Sequence, residues 1–102
     1  MTPLVLVLRA FHVIGGDIDG QINPDLEVEV GSRVRITVTN GDGMAHDLTI
    51  PAFDAKTPLI SARGSEAQTT FLVTEGQEGT YDYFCTLAGH RQAGMEGRLF
   101  VR

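Results

Sequence analysis

The 102-residue sequence predicts an all-β fold, a β-sandwich or barrel of about seven or eight strands. Three observations predict it. Apolar and polar residues alternate along several segments, Gly-rich turns separate those segments, and no window of helical length carries an apolar stripe. The twelve glycines and four prolines fit a chain with many turns. This density of short strands is typical of immunoglobulin-like and Greek-key sandwiches.

The strand candidates follow one another along the whole chain. Leu4–Val13 comes first, and the alternation is clearest in Leu26–Val30 and Val34–Thr39. Apolar residues at every second position indicate one buried and one solvated face. The turn at Gly31-Ser32 makes these two segments consecutive strands of a sandwich. The remaining candidates are His46–Ile50, Thr69–Val73, Thr80–Phe84 and Gly97–Val101.

The segment from Pro51 to Glu66, which contains Pro58 and Gly64, is the least regular part of the chain. We expect it to hold a short helical turn or a loop that crosses between sheets. No repeat, linker or low-complexity tract interrupts the pattern. Residues 1–102 are therefore expected to form a single domain, whether free-standing or excised from a larger protein.

The composition excludes several classes of protein. One cysteine allows no intramolecular disulfide, which rules out a disulfide-rich secreted scaffold. The net charge is −5 and no basic run is present, which argues against nucleic acid and favours a partner with a basic surface. The apolar start Met1–Arg9 is too short to span a membrane and lacks the features of a signal peptide. A cytoplasmic protein and a mature or excised extracytoplasmic domain both fit.

Four residues in the sequence form a candidate metal site. Cys85, His90 and Met95 are each separated by four residues, and the Cys ends a predicted strand. One Gly-rich loop thus offers a thiolate, an imidazole and a thioether to one point. His46, at the start of another predicted strand, adds a second imidazole. Two His and one Cys with a weak axial Met are the diagnostic ligand set of an electron-transfer copper site.

Each of these residues has an ordinary structural explanation when taken alone. A single Cys is usually a small buried hydrophobe, and a Met usually fills a core. A lone His is more often a polar residue than a ligand, and we interpret His12 in that way. The combination of three donors on one loop, a distant second His and an all-β pattern favours the metal site.

The ligand loop resembles that of the cupredoxins, the blue copper proteins that include plastocyanin and auracyanin. Cys85-x₄-His90-x₄-Met95 is similar to their C-terminal loop, and Gly79–Cys85 matches their Gly-Thr-Tyr-x-Tyr-x-Cys strand. The likeness runs from about Asn23 onwards and extends to cupredoxin domains fused to copper nitrite reductases. It implies a Greek-key β-sandwich or barrel, one type 1 copper ion and a periplasmic or otherwise extracytoplasmic location.

Asp47 departs from the family pattern, in which the residue after the first His is commonly Asn. Its backbone amide can donate to the Cys85 sulfur, and its side chain can accept from the Thr86 hydroxyl. The alternative is a solvated carboxylate at a strand end. A carboxylate near the copper would favour Cu(II).

The roles expected for these residues are those of a one-electron carrier. Cys85 supplies the thiolate, His46 the more buried imidazole, and Met95 the axial ligand. His90 is expected to expose one edge of its imidazole ring. The electron would pass through this edge to or from a redox partner protein or partner copper domain. An apolar docking rim around that edge is expected from Met44, Leu87, Ala88, Gly89 and Gly94.

The chain is not expected to be catalytic by itself. A nitrite reductase needs a second copper, usually on three His, and only His12 remains once His46 and His90 are used. Those enzymes also join their coppers through a Cys-His pair, whereas Thr86 follows Cys85 here. The electron-entry domain of a larger copper nitrite reductase remains an alternative. So do a copper chaperone or storage protein, a structural zinc module and an enzyme with a cysteine nucleophile.

Overall fold

A computed structural model of the chain describes residues 2–9, 12–15, 22–87 and 89–102. Within these ranges the regular structure is β-strand, apart from one 3₁₀ turn at Pro51–Phe53, and the all-β prediction is confirmed. None of the described residues belongs to a helix long and apolar enough to cross a membrane. The strands are β1 Thr2–Arg9, β2 His12–Gly15, β3 Leu26–Val28, β4 Arg33–Asn40, β5 Thr49–Ile50, β6 Ala55–Lys56, β7 Glu66–Leu72, β8 Gly79–Phe84 and β9 Glu96–Val101.

The strands form two sheets that pack on a common core. The first sheet has the order β2-β1-β4-β7, and the second has the order β3-β9-β8-β5-β6. β1 runs parallel to β4 and β3 runs parallel to β9, whereas the other pairs are antiparallel. The N-terminal and C-terminal strands therefore each pair with a strand from elsewhere in the chain, which closes the sandwich.

The period-2 pattern of the sequence determines which side chains enter the core. Along β4, Val34, Ile36 and Val38 are buried while the basic residues Arg33 and Arg35 are exposed. Each aliphatic side chain buried in this way stabilises the fold by about 1.5–3 kcal/mol. Facing side chains from both sheets complete the core, among them Leu6, Leu8, Leu48, Tyr83, Leu99 and Val101.

The single strand predicted over Leu4–Val13 is wrong. The structure has two antiparallel strands there, β1 and β2, paired from Leu6↔Gly15 to Arg9↔His12. The alternation of core-facing residues changes phase between β1 and β2, which explains the difference. Leu8 and Val13 both face the core, but five positions separate them, and a continuous strand would send them to opposite faces. The sequence also indicates a Gly-rich turn at residues 15–17, most of which lies outside the described residues.

Several connections cross between the sheets, and two of them are marked in the sequence. The Gly31-Ser32 turn leads from β3 in the second sheet to β4 in the first. The irregular segment after Pro51 contains both expected features, the 3₁₀ turn and a crossing from β6 to β7. The strand predicted from His46 shrinks to β5, and His46 itself pairs with Ile60 in an isolated bridge.

Candidate metal centre

A buried asparagine shapes the loop that leads to His46. Asn40 is 1% exposed and ends β4. Its Oδ1 accepts from the backbone N–H groups of Asp42 at 3.1 Å and Gly43 at 2.7 Å. Its Nδ2 donates to the carbonyls of Met44 at 2.6 Å and Ile60 at 3.0 Å. Gly43 has φ +80°, a conformation that glycine adopts without strain. The loop is therefore held by a side chain from the core.

His46 is held on both its backbone and its ring. Its N–H and carbonyl each bond to Ile60 at 2.9 Å. Its Nε2 lies 2.9 Å from Oδ1 of Asp42, and the ring is fully buried. Among the described residues Nδ1 of His46 has no hydrogen-bond partner. A buried polar atom without a partner is costly, and a bound metal ion would provide that partner.

The second group of donors lies on the loop between β8 and β9. Cys85 follows the last residue of β8, and its N–H donates to the carbonyl of Met95 at 3.2 Å. The N–H of Met95 donates in turn to the carbonyl of His90 at 3.0 Å. Cys85 and Met95 are buried, whereas His90 is half-buried. The loop thus folds back so that its first, middle and last residues meet.

The two segments bring three donor groups together. The ligand atoms of His46, Cys85 and His90 all lie within 4.8 Å of one another. Sγ of Cys85 is 3.4 Å from Nδ1 of His90, and the centroids of the two imidazole rings are 5.3 Å apart. Imidazole and thiolate ligands bind a metal such as zinc at about 2.0–2.3 Å, which places three of them about 3.5–4 Å apart around one ion. The donor set therefore fits a single metal ion, and His12 is not part of the cluster.

The pKa of the Cys85 thiol is raised above its usual value. Burial is the largest cause, and the Asp47 carboxylate also raises it, while backbone N–H groups of Asp47 and Leu87 lower it. A thiol with a raised pKa is a poor nucleophile at neutral pH, which counts against the cysteine-enzyme alternative. A metal ion that binds Cys85 must displace its proton.

Asp47 links the two donor segments. Its Oδ1 accepts from the backbone N–H of Thr86 at 2.7 Å, and its Oδ2 accepts from the Thr86 hydroxyl. Asp47 is 3% exposed, so the alternative of a solvated carboxylate is wrong. The contact joins the residue after His46 to the residue after Cys85.

The residues expected to form the docking rim differ in exposure. Met44 is 39% exposed, Gly89 is exposed, and Leu87 and Gly94 are half-buried. Ala88 lies outside the described residues. The rim as a docking surface stays a prediction.

Two residues near the candidate site were missed by the sequence analysis. Asp42 stands between two glycines in a turn-like stretch, and its position four residues before His46 is a usable signal. Arg91 carried no signal except that it follows His90. Its guanidinium bonds to Glu96 at 2.7 Å and to Asp82 at 3.3 Å.

The proteins that are similar to this chain include known copper proteins. The family model described as copper binding proteins, plastocyanin/azurin family, matches residues 21–102. Rusticyanins of Acidithiobacillus ferridurans and Acidithiobacillus ferrooxidans are each 27% identical to the chain over 114 residues. Those alignments cover 94% of this chain, and the chain spans 59% of the length of either rusticyanin.

Solved structures of similar proteins share the fold. Auracyanin B superposes with a TM-score of 0.78 at 20% identity, over 99% of this chain and 88% of its own. The auracyanin of Roseiflexus castenholzii superposes with a TM-score of 0.78 at 18% identity, over 100% of this chain and 98% of its own. Reduced rusticyanin superposes with a TM-score of 0.65 at 22% identity, over 98% of this chain and 78% of its own. At these identities the likeness establishes the β-sandwich architecture.

Proposed function

Because the chain belongs to the copper-binding plastocyanin/azurin family, we propose that it is a one-electron carrier with one type 1 copper ion. The observation that carries the proposal is the convergence of two imidazoles and one thiolate within 4.8 Å. That donor set, completed by a thioether, is the diagnostic electron-transfer copper site. The proposed ligands are His46, Cys85, His90 and Met95.

Copper bound here would supply reversible one-electron chemistry between Cu(I) and Cu(II). The contribution of the protein is to hold the donors in place. His46 is fixed by Ile60 and Asp42, and Asp47 bonds to the residue after Cys85. Donors held by their surroundings move little when the charge of the ion changes, and this favours fast electron exchange.

The electron is proposed to pass through His90. His46, Cys85 and Met95 are at most 1% exposed, whereas His90 is half-buried. The greater exposure of His90 supports it as the ligand through which the electron enters and leaves. Exposed and half-buried apolar residues on the two loops suit a small, transient interface with a redox partner. Redox activity in similar proteins supports the proposal, since a dithionite-reduced auracyanin and a reduced rusticyanin have been solved.

The partner is proposed to be a redox protein or another copper domain with a basic docking surface. The net charge of −5 supports this choice, because complementary charge accelerates encounter. An extracytoplasmic location, which the family resemblance implies, and a single domain over residues 1–102 belong to the same proposal. Fractionation of the native cells tests the location.

An absorption spectrum after addition of Cu(II) tests the proposal directly. We expect an intense blue colour that disappears on reduction. Cys85→Ser should abolish the colour, because the band requires the thiolate. The matched control is His12→Asn, which removes an imidazole outside the donor cluster and should keep the colour. Blue colour in the Cys85 variant would show that the ligand set is wrong.

A second variant tests the proposed route of the electron. Leu87→Lys places a positive charge on the ligand loop. It should slow electron exchange with a basic protein partner at least several-fold, with the colour unchanged. Leu72→Lys is the control, since Leu72 is 52% exposed and pairs with Arg33 at the far end of β4. Stopped-flow kinetics gives both rates. Equal slowing with a small inorganic reductant would indicate damage to the site and contradict the docking role.

A further inference from the structure

The contact between Asp42 and His46 connects a surface loop to a buried imidazole. An ionised carboxylate only accepts hydrogen bonds, so Nε2 of His46 carries the hydrogen and donates to Oδ1 of Asp42 at 2.9 Å. In that tautomer Nδ1 has a lone pair, and Nδ1 is the ring atom without a partner among the described residues. We infer that Asp42 is a positioning residue that orients His46 for the metal and lowers the reduction potential of the site.

The carboxylate can orient the ring because it is itself held in place. Oδ1 of Asp42 also accepts from the backbone N–H of Met44 at 2.9 Å. The backbone N–H of Asp42 donates to Oδ1 of Asn40, which is buried at the end of β4. A chain of hydrogen bonds thus runs from a core asparagine through Asp42 to the ring of His46. Flipping the ring about its Cβ–Cγ bond would exchange each nitrogen with a ring carbon and break this chain.

The charge of Asp42 acts on the metal through the ring. The side chain is 17% exposed, so solvent and salt screen its charge only in part. A carboxylate that accepts from the remote nitrogen of a ligating His makes the ring a stronger donor. A stronger donor favours the more highly charged Cu(II) over Cu(I), and the reduction potential falls.

Asp47 differs from Asp42 in where its carboxylate oxygens bond. In the part of the chain that the structure describes, they accept from the backbone N–H and the hydroxyl of Thr86, and no imidazole is among their hydrogen-bond partners. Asp47 therefore joins two loops, whereas Asp42 contacts a ligand ring directly. The two carboxylates should affect the potential differently for that reason.

The orienting role is tested in the metal-free protein. Ring-nitrogen chemical shifts of His46, measured by NMR in mildly alkaline buffer, report its tautomer. We expect a single Nε2–H form in the native protein and a mixture of the two neutral tautomers, as in a free imidazole, in Asp42→Ala. This measurement does not depend on copper or on the proposed function. An unchanged tautomer in the alanine variant would overturn the orienting role.

The effect on the potential rests on the proposed function and is tested in the copper-loaded protein. Asp42→Asn keeps an oxygen that accepts hydrogen bonds and removes the charge. We expect the affinity for Cu(II) to fall about tenfold while that for Cu(I) is kept, which corresponds to a rise of about 59 mV in midpoint potential. The blue colour should remain. Voltammetry measures the potential, and competition with chelators measures the two affinities.

Glu29→Gln is the matched control for charge. Glu29 is exposed just beyond β3, and β3 pairs with the end of β9 that is farthest from Met95. The two ends of β9 are five residue steps, or about 17 Å, apart, which is well beyond the screening length of about 10 Å at 0.1 M salt. The control should leave the potential unchanged. A potential in Asp42→Asn equal to that of the control would overturn the charge effect. A native protein without blue colour would instead refute the proposed function, and the tautomer result would still decide the orienting role.

Discussion

The four candidate ligand residues differ in how the surrounding contacts hold them. His46 is held by two backbone bonds and a side-chain bond, which leaves only Nδ1 without a partner among the described residues. Met95 is held by backbone bonds to His90 and Cys85, and its side chain is fully buried. Met95 is thus placed by the loop, and the length of the loop sets its position relative to the other donors.

Replacing Met95 tests the axial position at the scale of one residue. Met95→Leu conserves volume in a buried position and should cost less than about 1.5 kcal/mol of stability. Copper should be retained with a raised potential, because loss of the thioether and a more apolar surrounding both disfavour Cu(II). Met44→Leu is the control at an exposed methionine of the rim. An unchanged potential in Met95→Leu, measured by voltammetry, would remove Met95 from the axial role.

At the scale of elements, Arg91 fastens the ligand loop to the β8–β9 hairpin. Its guanidinium lies 3.9 Å from the centroid of the Phe84 ring and bonds to Glu96 and Asp82. Phe84 precedes the Cys and Glu96 follows the Met of the loop, so one side chain connects both ends. Each ion pair is about half exposed and contributes about 0.2–1 kcal/mol, and stacking adds about 0.5–1 kcal/mol.

Removing this connection should loosen the loop. We expect Arg91→Ala to lower the free energy of unfolding by about 1 kcal/mol and to accelerate copper loss to a chelator severalfold. Arg98→Ala is the control, because Arg98 also bonds to Asp82 but lies on β9 outside the loop. Its copper loss should match the native rate. Equal rates in the two variants would show that Arg91 has no special role in the loop.

At the scale of the whole molecule, Tyr83 ties the second sheet to the segment that enters it. Its ring lies across Gly97 of β9, where a Cβ atom would stand 2.3 Å from the phenol oxygen. Its hydroxyl donates to the carbonyl of Pro24 at 2.7 Å, next to the start of β3. Burial, and secondarily the charge of Asp25, raise the pKa of Tyr83 above its ordinary value of 10.0.

This raised pKa predicts how stability depends on alkaline pH. Above about pH 10 tyrosine ionises in the unfolded chain but not in the folded one, so the unfolded state is favoured. The contribution is therefore fully present below pH 10 and is lost as the pH rises toward the folded pKa. Denaturant titrations should show stability falling over this range, with a smaller fall in Tyr83→Phe than in the control Tyr81→Phe. Equal falls in both variants would contradict the assignment.

Local patterns in the sequence determined the buried faces of strands and the grouping of three candidate ligands. The alternation in β3 and β4 determined their buried faces, because a period of two is a property of the extended backbone itself. The candidate donors Cys85, His90 and Met95 were recognisable because all three lie within eleven residues, on a Gly-rich loop that can fold back on itself. The copper-binding family and the β-sandwich predicted from these features are confirmed.

Only the tertiary structure decided which distant segments meet. The chain was predicted to start with one long strand, whereas packing of Leu8 and Val13 on the same core requires a hairpin. The bond from Asp47 to Thr86 spans 39 positions, and the contacts of Asp42 and Arg91 depend on how two loops fold. No period in the sequence encodes such contacts, because they arise from the packing of two sheets and from hydrogen bonds formed where the sheets end.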